Sequence, residues 1–237
     1  GSTELQKRLD AVTALYTSGD IDQALVTLDQ LMITYPEQAF LYNLQGACFY
    51  AQEQYDIAIT SYQKAIALNP EFAEALNGLG LTQSSLGENN TAIFSLKKAL
   101  AFKPDFAEAN NNLGVAYYNL GDSTEAIKNF TNAILLKLNY ADAFFNLGNV
   151  FKQYKVSAKA TQEFVNTINT NPHLFKNHIN TSKLNSQFEI QLILYERAIA
   201  INSKFSNAWW NLSLVQLLLG NYQEGWVNYE WRWKKDD

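Results

Sequence analysis

Residues Ala107–Tyr140, AEANNNLGVAYYNLGDSTEAIKNFTNAILLKLNY, decide the fold of this chain. The stretch reads as two short amphipathic helices separated by a tight turn at Gly121-Asp122. Neither helix can bury its apolar stripe by itself, and the same pattern lies on both sides of the stretch. Adjacent units therefore bury one another's apolar faces, which predicts a repeat array.

The period of the array is visible in the prolines and in the alternation of small and large residues. Pro36, Pro70 and Pro104 lie 34 residues apart, and proline stops a helix. Small residues recur in three registers: Ala24, Ala58, Ala92, Ala126 and Ala160; Gly46, Gly80, Gly114 and Gly148; Ala65, Ala99 and Ala133. Large residues recur between them: Leu28, Tyr62, Leu96, Phe130, Phe164, Tyr195 and Tyr229. This complementarity is typical of closely packed helix pairs.

The 34-residue helix-turn-helix period, with its Leu-Gly pair at 79–80, 113–114 and 147–148, resembles the tetratricopeptide repeat (TPR) family. The resemblance implies an all-α fold, a right-handed α-solenoid or superhelix of about seven units in a single array over residues 1–237. The expected units are 5–38, 39–72, 73–106, 107–140, 141–174, 175–205 and 206–237. The sixth unit is degenerate, because Thr181-Ser182 stands where Leu-Gly is expected.

Composition excludes several other classes of function. Apolar residues make up 47% of the chain, the net charge is −5, and no basic run exceeds two residues, so neither nucleic acid nor a membrane surface is an expected partner. A single cysteine and two histidines, His173 and His178, give no metal-ligand or catalytic pattern. We therefore expect no enzyme activity, no metal and no cofactor. The lack of a signal peptide and of a long apolar run indicates a cytoplasmic location.

The first helix of each TPR unit lines the concave side of such arrays, so its outward residues are the candidate ligand contacts. The candidate peptide-binding residues are Asn77, Asn111, Asn112, Tyr118, Phe145, Asn146, Asn149, Asn180 and Asn211. One row within this set, Asn112, Asn146, Asn180 and Asn211, resembles the asparagine row of the O-linked N-acetylglucosamine transferase TPR region. Each amide both donates and accepts, so the row is suited to hold a peptide backbone. Alternatively, asparagine is simply tolerated on a solvated face.

The last unit carries apolar groups where earlier units have polar ones. The candidate interface residues are Trp210, Leu214, Leu217, Trp226, Trp231 and Trp233. Terminal units of a solenoid are usually polar outside, so these residues predict a covered end, although they could simply pack on the preceding helix pair. The string Gly225–Trp233 also resembles the last repeat of bacterial TPR glycosyltransferases.

Three functions follow from these residues. The preferred hypothesis is a non-catalytic scaffold that binds an extended peptide segment of a protein partner in its concave groove. The second is a substrate-targeting arm of a larger glycosyltransferase-like enzyme whose catalytic domain is missing from this sequence. The third is a homodimer formed through the apolar last unit.

Overall fold

The computed structural model describes residues 2–153, 155–175 and 186–231. Helices and the turns that join them make up the described residues, and no strand occurs among them, so the expected all-α class is confirmed. The chain divides into two compact units, Gly1–Asp105 and Phe106–Asp237.

The first unit contains three helical hairpins. Its helices are α1 (Ser2–Thr17), α2 (Ile21–Thr34), α3 (Ala39–Ala51), α4 (Tyr55–Leu68), α5 (Ala73–Ser85) and α6 (Asn89–Phe102). Each odd-numbered helix pairs with the next helix, and within this unit α2 packs on α3 and α4 packs on α5. Each hairpin turn is three residues long, as an antiparallel helix pair requires.

The second unit continues the same design with one additional helix. Its helices are α7 (Ala107–Asn119), α8 (Ser123–Leu136), α9 (Ala141–Gln153), α10 (Ala158–Thr170), α11 (Gln187–Ile201), α12 (Ser206–Leu218) and α13 (Tyr222–Tyr229). A short 3-10 helix, Pro172–Phe175, follows α10. Here α7 pairs with α8 and α12 pairs with α13.

Left-handed residues close five of the hairpin turns. Gly19, Gly87, Gly121 and Gly220 have φ values of 80 to 83°, which glycine adopts without a steric penalty. The remaining turn, between α3 and α4, uses Glu53 with φ of 59°. Glycine at this position is therefore preferred but not obligatory.

Aspartate side chains cap the second helix of two hairpins. The side chain of Asp20 accepts a hydrogen bond from the backbone of Gln23, and Asp122 does the same for Glu125. Asn221 lies at the N-cap position of α13 but makes no side-chain capping bond.

The small-to-large complementarity appears as direct contact between glycines and rings. A Cβ built on Gly78 would lie 2.5 Å from the ring of Tyr62, and one on Gly114 would lie 2.7 Å from Phe130. Real atoms do not approach this closely, so these helices are as near to each other as their backbones allow. Gly46 meets the same Tyr62 ring, which is therefore held between α3 and α5.

The partner of α9 differs from the expected one. The repeat period predicts that α10 completes the hairpin within residues 141–174, but α11 occupies that place. The ring of Tyr195 lies against Gly148, at 2.6 Å from a Cβ built there, and Gln191 Nε2 donates to the backbone oxygen of Phe151 at 3.0 Å. Contacts that run in opposite directions along the two helices make the α9–α11 pair antiparallel.

Helix α10 packs on α8 instead. Its Phe164 ring lies 5.5 Å from Phe151 of α9, and Ile127 and Thr131 of α8 are buried. The first helix expected for the sixth unit, around residues 175–184, lies almost entirely outside the described residues. The other unit boundaries stay predictions.

Candidate peptide-binding face

Asparagine side chains from three first-position helices of the second unit meet in hydrogen bonds. They come from α7, α9 and α12, which occupy equivalent places in successive hairpins. We call Asn111, Asn146, Asn149 and Asn211 the amide face. Each residue lies on a helix, so its backbone is fixed and the amide direction is determined by the helix register.

The first link of the amide face joins α7 to α9. Asn146 Nδ2 donates to Asn111 Oδ1 at 3.1 Å, and Asn111 is only 6% exposed. Asn146 itself is half-buried. A buried amide needs a partner, and here the next repeat supplies it.

The second link joins α9, α11 and α12 around one amide oxygen. Asn149 Oδ1 accepts from Asn211 Nδ2 at 2.9 Å and from the Tyr195 hydroxyl at 3.0 Å. Burial raises the pKa of Tyr195 above its ordinary value, so its hydroxyl remains a donor at all physiological pH values. The position of Asn149 is therefore determined by two donors on two other helices.

A lysine completes this group. Lys152 Nζ donates to Asn211 Oδ1 at 2.7 Å, and Asn211 is 7% exposed. Partial burial lowers the pKa of Lys152. The amide face therefore combines neutral donors and acceptors with one cation at its α12 end.

Two members of the predicted row, Asn146 and Asn211, form hydrogen bonds with asparagines outside the row. Asn146 bonds to Asn111, and the adjacent Asn112 is half-buried. Asn211 bonds to Asn149, and Asn180 lies outside the described residues. Asn77, on α5 of the first unit, is half-buried. The role of the row in binding stays a prediction.

The two aromatic candidates make contacts within the protein. The Tyr118 hydroxyl donates to Gln153 Oε1, which joins α7 to the end of α9. The Phe145 ring lies 4.7 Å from Phe205 and 5.9 Å from Tyr195. Phe145 is half-buried, so part of its ring is still accessible beside Asn146.

The acidic groups near the first helices are paired with lysines. Glu74 Oε1 accepts from Lys103 Nζ at 2.8 Å, and Glu108 Oε1 accepts from Lys137 Nζ at 2.7 Å. Each lysine is the C-cap of the second helix of the same hairpin. Burial disfavours the Glu74 carboxylate, but the hydrogen bond and charge of Lys103 outweigh it and lower the pKa of Glu74. These acids therefore give the binding face less negative charge than their number indicates.

The candidate interface residues divide into packed and exposed groups. Trp210 contacts the Tyr229 ring at 4.7 Å, and Trp231 stacks on Trp209 at 5.1 Å. Leu214 and Leu217 are half-buried, and Trp233 lies outside the described residues. Trp226, in contrast, is 58% exposed, beside Val227 at 67%, while Leu218 at the end of α12 is 69% exposed.

Sequence reasoning missed the polar residues that join the helices of one hairpin. Ser95 Oγ donates to Gln83 Oε1 at 2.8 Å, and Ser61 Oγ donates to Gln45 Oε1 at 2.9 Å. The signal was present in the sequence, because Ser61 and Ser95 lie one period apart. The contact of Tyr195 with Asn149 was also missed, because it depends on the displaced pairing of α9.

The described residues give no indication of metal or membrane binding. Within them, no group of three or more histidine, cysteine, aspartate or glutamate side chains is arranged to bind a metal ion. Across the same ranges, every helix is too short or too polar to cross a bilayer.

The comparison with protein families agrees with the repeat pattern. The family model described as TPR repeat matches residues 46–87, 84–121 and 116–154. Residues 46–154 therefore match tetratricopeptide repeats. No curated protein is significantly similar to it in sequence.

Solved TPR structures share this fold. MamA is 26% identical with a TM-score of 0.57, over 81% of this chain and 94% of that chain. PilW, described as a widely conserved type IV pilus biogenesis factor, is 15% identical with a TM-score of 0.69, over 94% and 89%. YrrB, described as a TPR protein with an unusual peptide-binding site, is 20% identical with a TM-score of 0.52, over 85% and 88%. TPR solenoids are typical of protein–protein interaction.

Proposed function

We propose that this TPR protein is a non-catalytic scaffold whose amide face binds an extended peptide segment of a partner protein. The observation that supports the proposal is the two hydrogen-bonded pairs of amides, one between α7 and α9 and one between α9 and α12. A peptide backbone presents the same two groups as an asparagine side chain, one donor and one acceptor.

Because the amides are already hydrogen-bonded to one another, binding a peptide there costs little free energy. A peptide group that replaces one amide of a pair exchanges a hydrogen bond for an equivalent one, so no buried polar group is left unsatisfied. Recognition through the backbone places little demand on the peptide sequence. The half-buried Phe145 adds an apolar contact for one side chain of the bound segment.

Titration with short unstructured fluorescent peptides, followed by anisotropy, tests the proposal. The double variant Asn111→Ala and Asn146→Ala, which removes both amides of the first link, should weaken binding by roughly tenfold or more, since each lost pairing costs about 0.5–1.5 kcal/mol. The matched control is Asn132→Ala with Asn166→Ala, two exposed asparagines on α8 and α10. Equal affinity for both double variants and the original chain would rule out the amide face as the binding site.

The exposed apolar side chains of the last hairpin support a second interaction. Leu218, Trp226 and Val227 are large, apolar and more than half exposed, and such groups favour a covering partner. A second copy of the chain and a glycosyltransferase-like domain remain the two occupants that the sequence proposes. Sedimentation at several concentrations distinguishes them, because only self-association depends on the concentration of this chain alone.

A further inference from the structure

Two helices of the second unit have the aromatic residue and the isoleucine, four positions apart, that α9 requires of a partner. In α8, which pairs with α7, the pattern is Ala126, Phe130 and Ile134, spaced by four. Helix α10 repeats it one period later with Ala160, Phe164 and Ile168, and α11 has Gln191, Tyr195 and Ile199 at the same spacing. The glycine on α9 that accepts the large residue, Gly148, is common to both possible pairs.

The connection from α9 to α10 is that of a hairpin. Residues 154–157 join the two helices, whereas the other hairpins have three-residue turns. Ser157 caps α10 by accepting from the Ala160 backbone at 3.1 Å, so the helix start does not depend on α9. Chain length therefore permits α10 to fold back on α9.

The contact that α10 makes instead is bordered by an open groove. This groove, of ≈170 Å³, is lined by residues of α8 and α10. Polar side chains, including Lys128, Thr131, Glu163 and Thr167, line much of it. Phe164 and Ile168 of α10 are buried in this arrangement, so α10 can leave α8 only if α9 buries the same side chains.

One turn residue disfavours the α9–α10 hairpin. Lys155 lies 34 residues after Gly121, at the position where four hairpins have a left-handed glycine. A residue with a Cβ pays a steric penalty in that conformation. The α9–α11 pair avoids this turn and adds the hydrogen bonds of Gln191 and Tyr195.

We propose that α10 and α11 are alternative partners of α9 and that the protein exchanges them. In the second arrangement Phe164 replaces Tyr195 against Gly148, and the helices follow the 34-residue period. The exchange is a conformational device of the fold, independent of whether a peptide binds. It also removes the Tyr195 hydroxyl from Asn149, because phenylalanine carries no donor.

Chemical cross-linking can detect both arrangements, because a hairpin brings two known positions together. In the regular hairpins, the first-turn acid of the first helix reaches the C-cap of the second, as Glu108 reaches Lys137. The corresponding positions are Asp142 with Asn171 for the α10 arrangement, and Asp142 with Asn202 for the α11 arrangement. Cysteines at each pair, on a Cys48→Ala background, are treated with a short bis-maleimide.

We expect both cysteine pairs to cross-link in the folded full chain, with the 142–202 pair the faster. Lys155→Gly should raise the rate for the 142–171 pair by roughly five- to thirtyfold, which is the population change that removal of the left-handed penalty predicts. The matched control is Lys204→Gly, in the turn between α11 and α12, which should leave the rate unchanged. Adding Phe164→Ala should reverse the increase.

The proposal fails if the 142–171 pair does not cross-link while the 142–202 pair does. It also fails if Lys155→Gly and Lys204→Gly give the same rate for the 142–171 pair. Both glycine substitutions are in exposed turns, and a circular dichroism melt confirms that each variant is folded. The irreversible cross-link accumulates a minor arrangement, so a small population is sufficient for the measurement.

Discussion

At the scale of single residues, contact between glycine and a ring determines how closely two helices approach. Tyr62 meets Gly46 and Gly78, and Tyr195 meets Gly148, each at a separation that leaves no space for a methyl group. The ring fills the volume that the missing side chain leaves, so this close packing requires both the glycine and the large ring.

Gly148→Ala should destabilise the protein by about 1–3 kcal/mol, because the new methyl overlaps the Tyr195 ring. Urea denaturation followed by circular dichroism measures the change. In the control background Tyr195→Ala the same substitution should cost much less, because the ring is gone. An equal cost in both backgrounds would show that the ring is not the cause.

Cys48 should be nearly inert in the folded protein. It is 1% exposed, and burial raises its pKa to about 11, so the folded state favours the neutral thiol. At pH 8 its thiolate fraction is about a hundredfold below that of an ordinary cysteine. Labelling with a thiol reagent should therefore be at least that much slower than in urea, and similar rates would contradict the burial of Cys48.

The same raised pKa makes a small contribution to the pH dependence of stability. The folded state holds the Cys48 proton more tightly than the unfolded state does. Its contribution is therefore complete below the unfolded pKa and is lost as pH rises toward about 11.

At the scale of helices, ion pairs connect the two ends of a hairpin. Glu74 at the start of α5 pairs with Lys103 at the end of α6, and Glu108 with Lys137 repeats the arrangement one period later. Both pairs are partly exposed, so each stabilises its hairpin by well under the Coulomb energy of a buried pair.

Glu74→Gln should lower the free energy of unfolding by about 0.2–1 kcal/mol at pH 7. The folded-state pKa of Glu74 is lowered, so the stabilisation is present above the unfolded pKa of an ordinary glutamate. It disappears as pH falls through the lower folded pKa. Denaturation at pH 7 and pH 3, with Glu71→Gln as the control, measures the difference, and a cost independent of pH would contradict it.

The pairing of α9 shows where sequence periodicity stops being sufficient. Helices, turns and the small-to-large contacts were predictable because each depends on residues within one period. Two helices matched the α9 pattern, and the pattern alone ranked α10 first because of its register. The choice of α11 depends on Gln191 and Tyr195, whose hydrogen bonds connect residues about 40 positions apart.

The residues of the candidate site were predictable from the sequence, but the hydrogen bonds between them were not. The asparagines were identifiable because of their positions on the first helices of the repeats, although Asn111 and Asn211 are buried rather than outward-facing. Their bonds to one another, such as Asn146 to Asn111, depend on the offset between adjacent helices, which one repeat does not reveal. The pairing of Glu74 with Lys103 was likewise not predicted, because the helix pattern does not show which side chains meet across the two ends of a hairpin.

At the scale of the whole molecule, the apolar last hairpin should produce self-association if a second copy of the chain covers it. The sedimentation coefficient should then rise with protein concentration, and Trp226→Ser should abolish the rise because this side chain is largely exposed. The comparison variant is Tyr222→Ser, which replaces an exposed aromatic residue at the start of α13. A concentration-independent coefficient would exclude the homodimer.

The α9–α11 pair gives the molecule a natural site for grafting. Gln187 Nε2 lies 3.5 Å from the backbone oxygen of Val156, so the segment between them leaves and re-enters the array at nearly one point. A foreign module whose two termini are adjacent could replace α10 without separating the helices on either side. The chain thus offers an engineer an internal attachment point for a reporter or an effector.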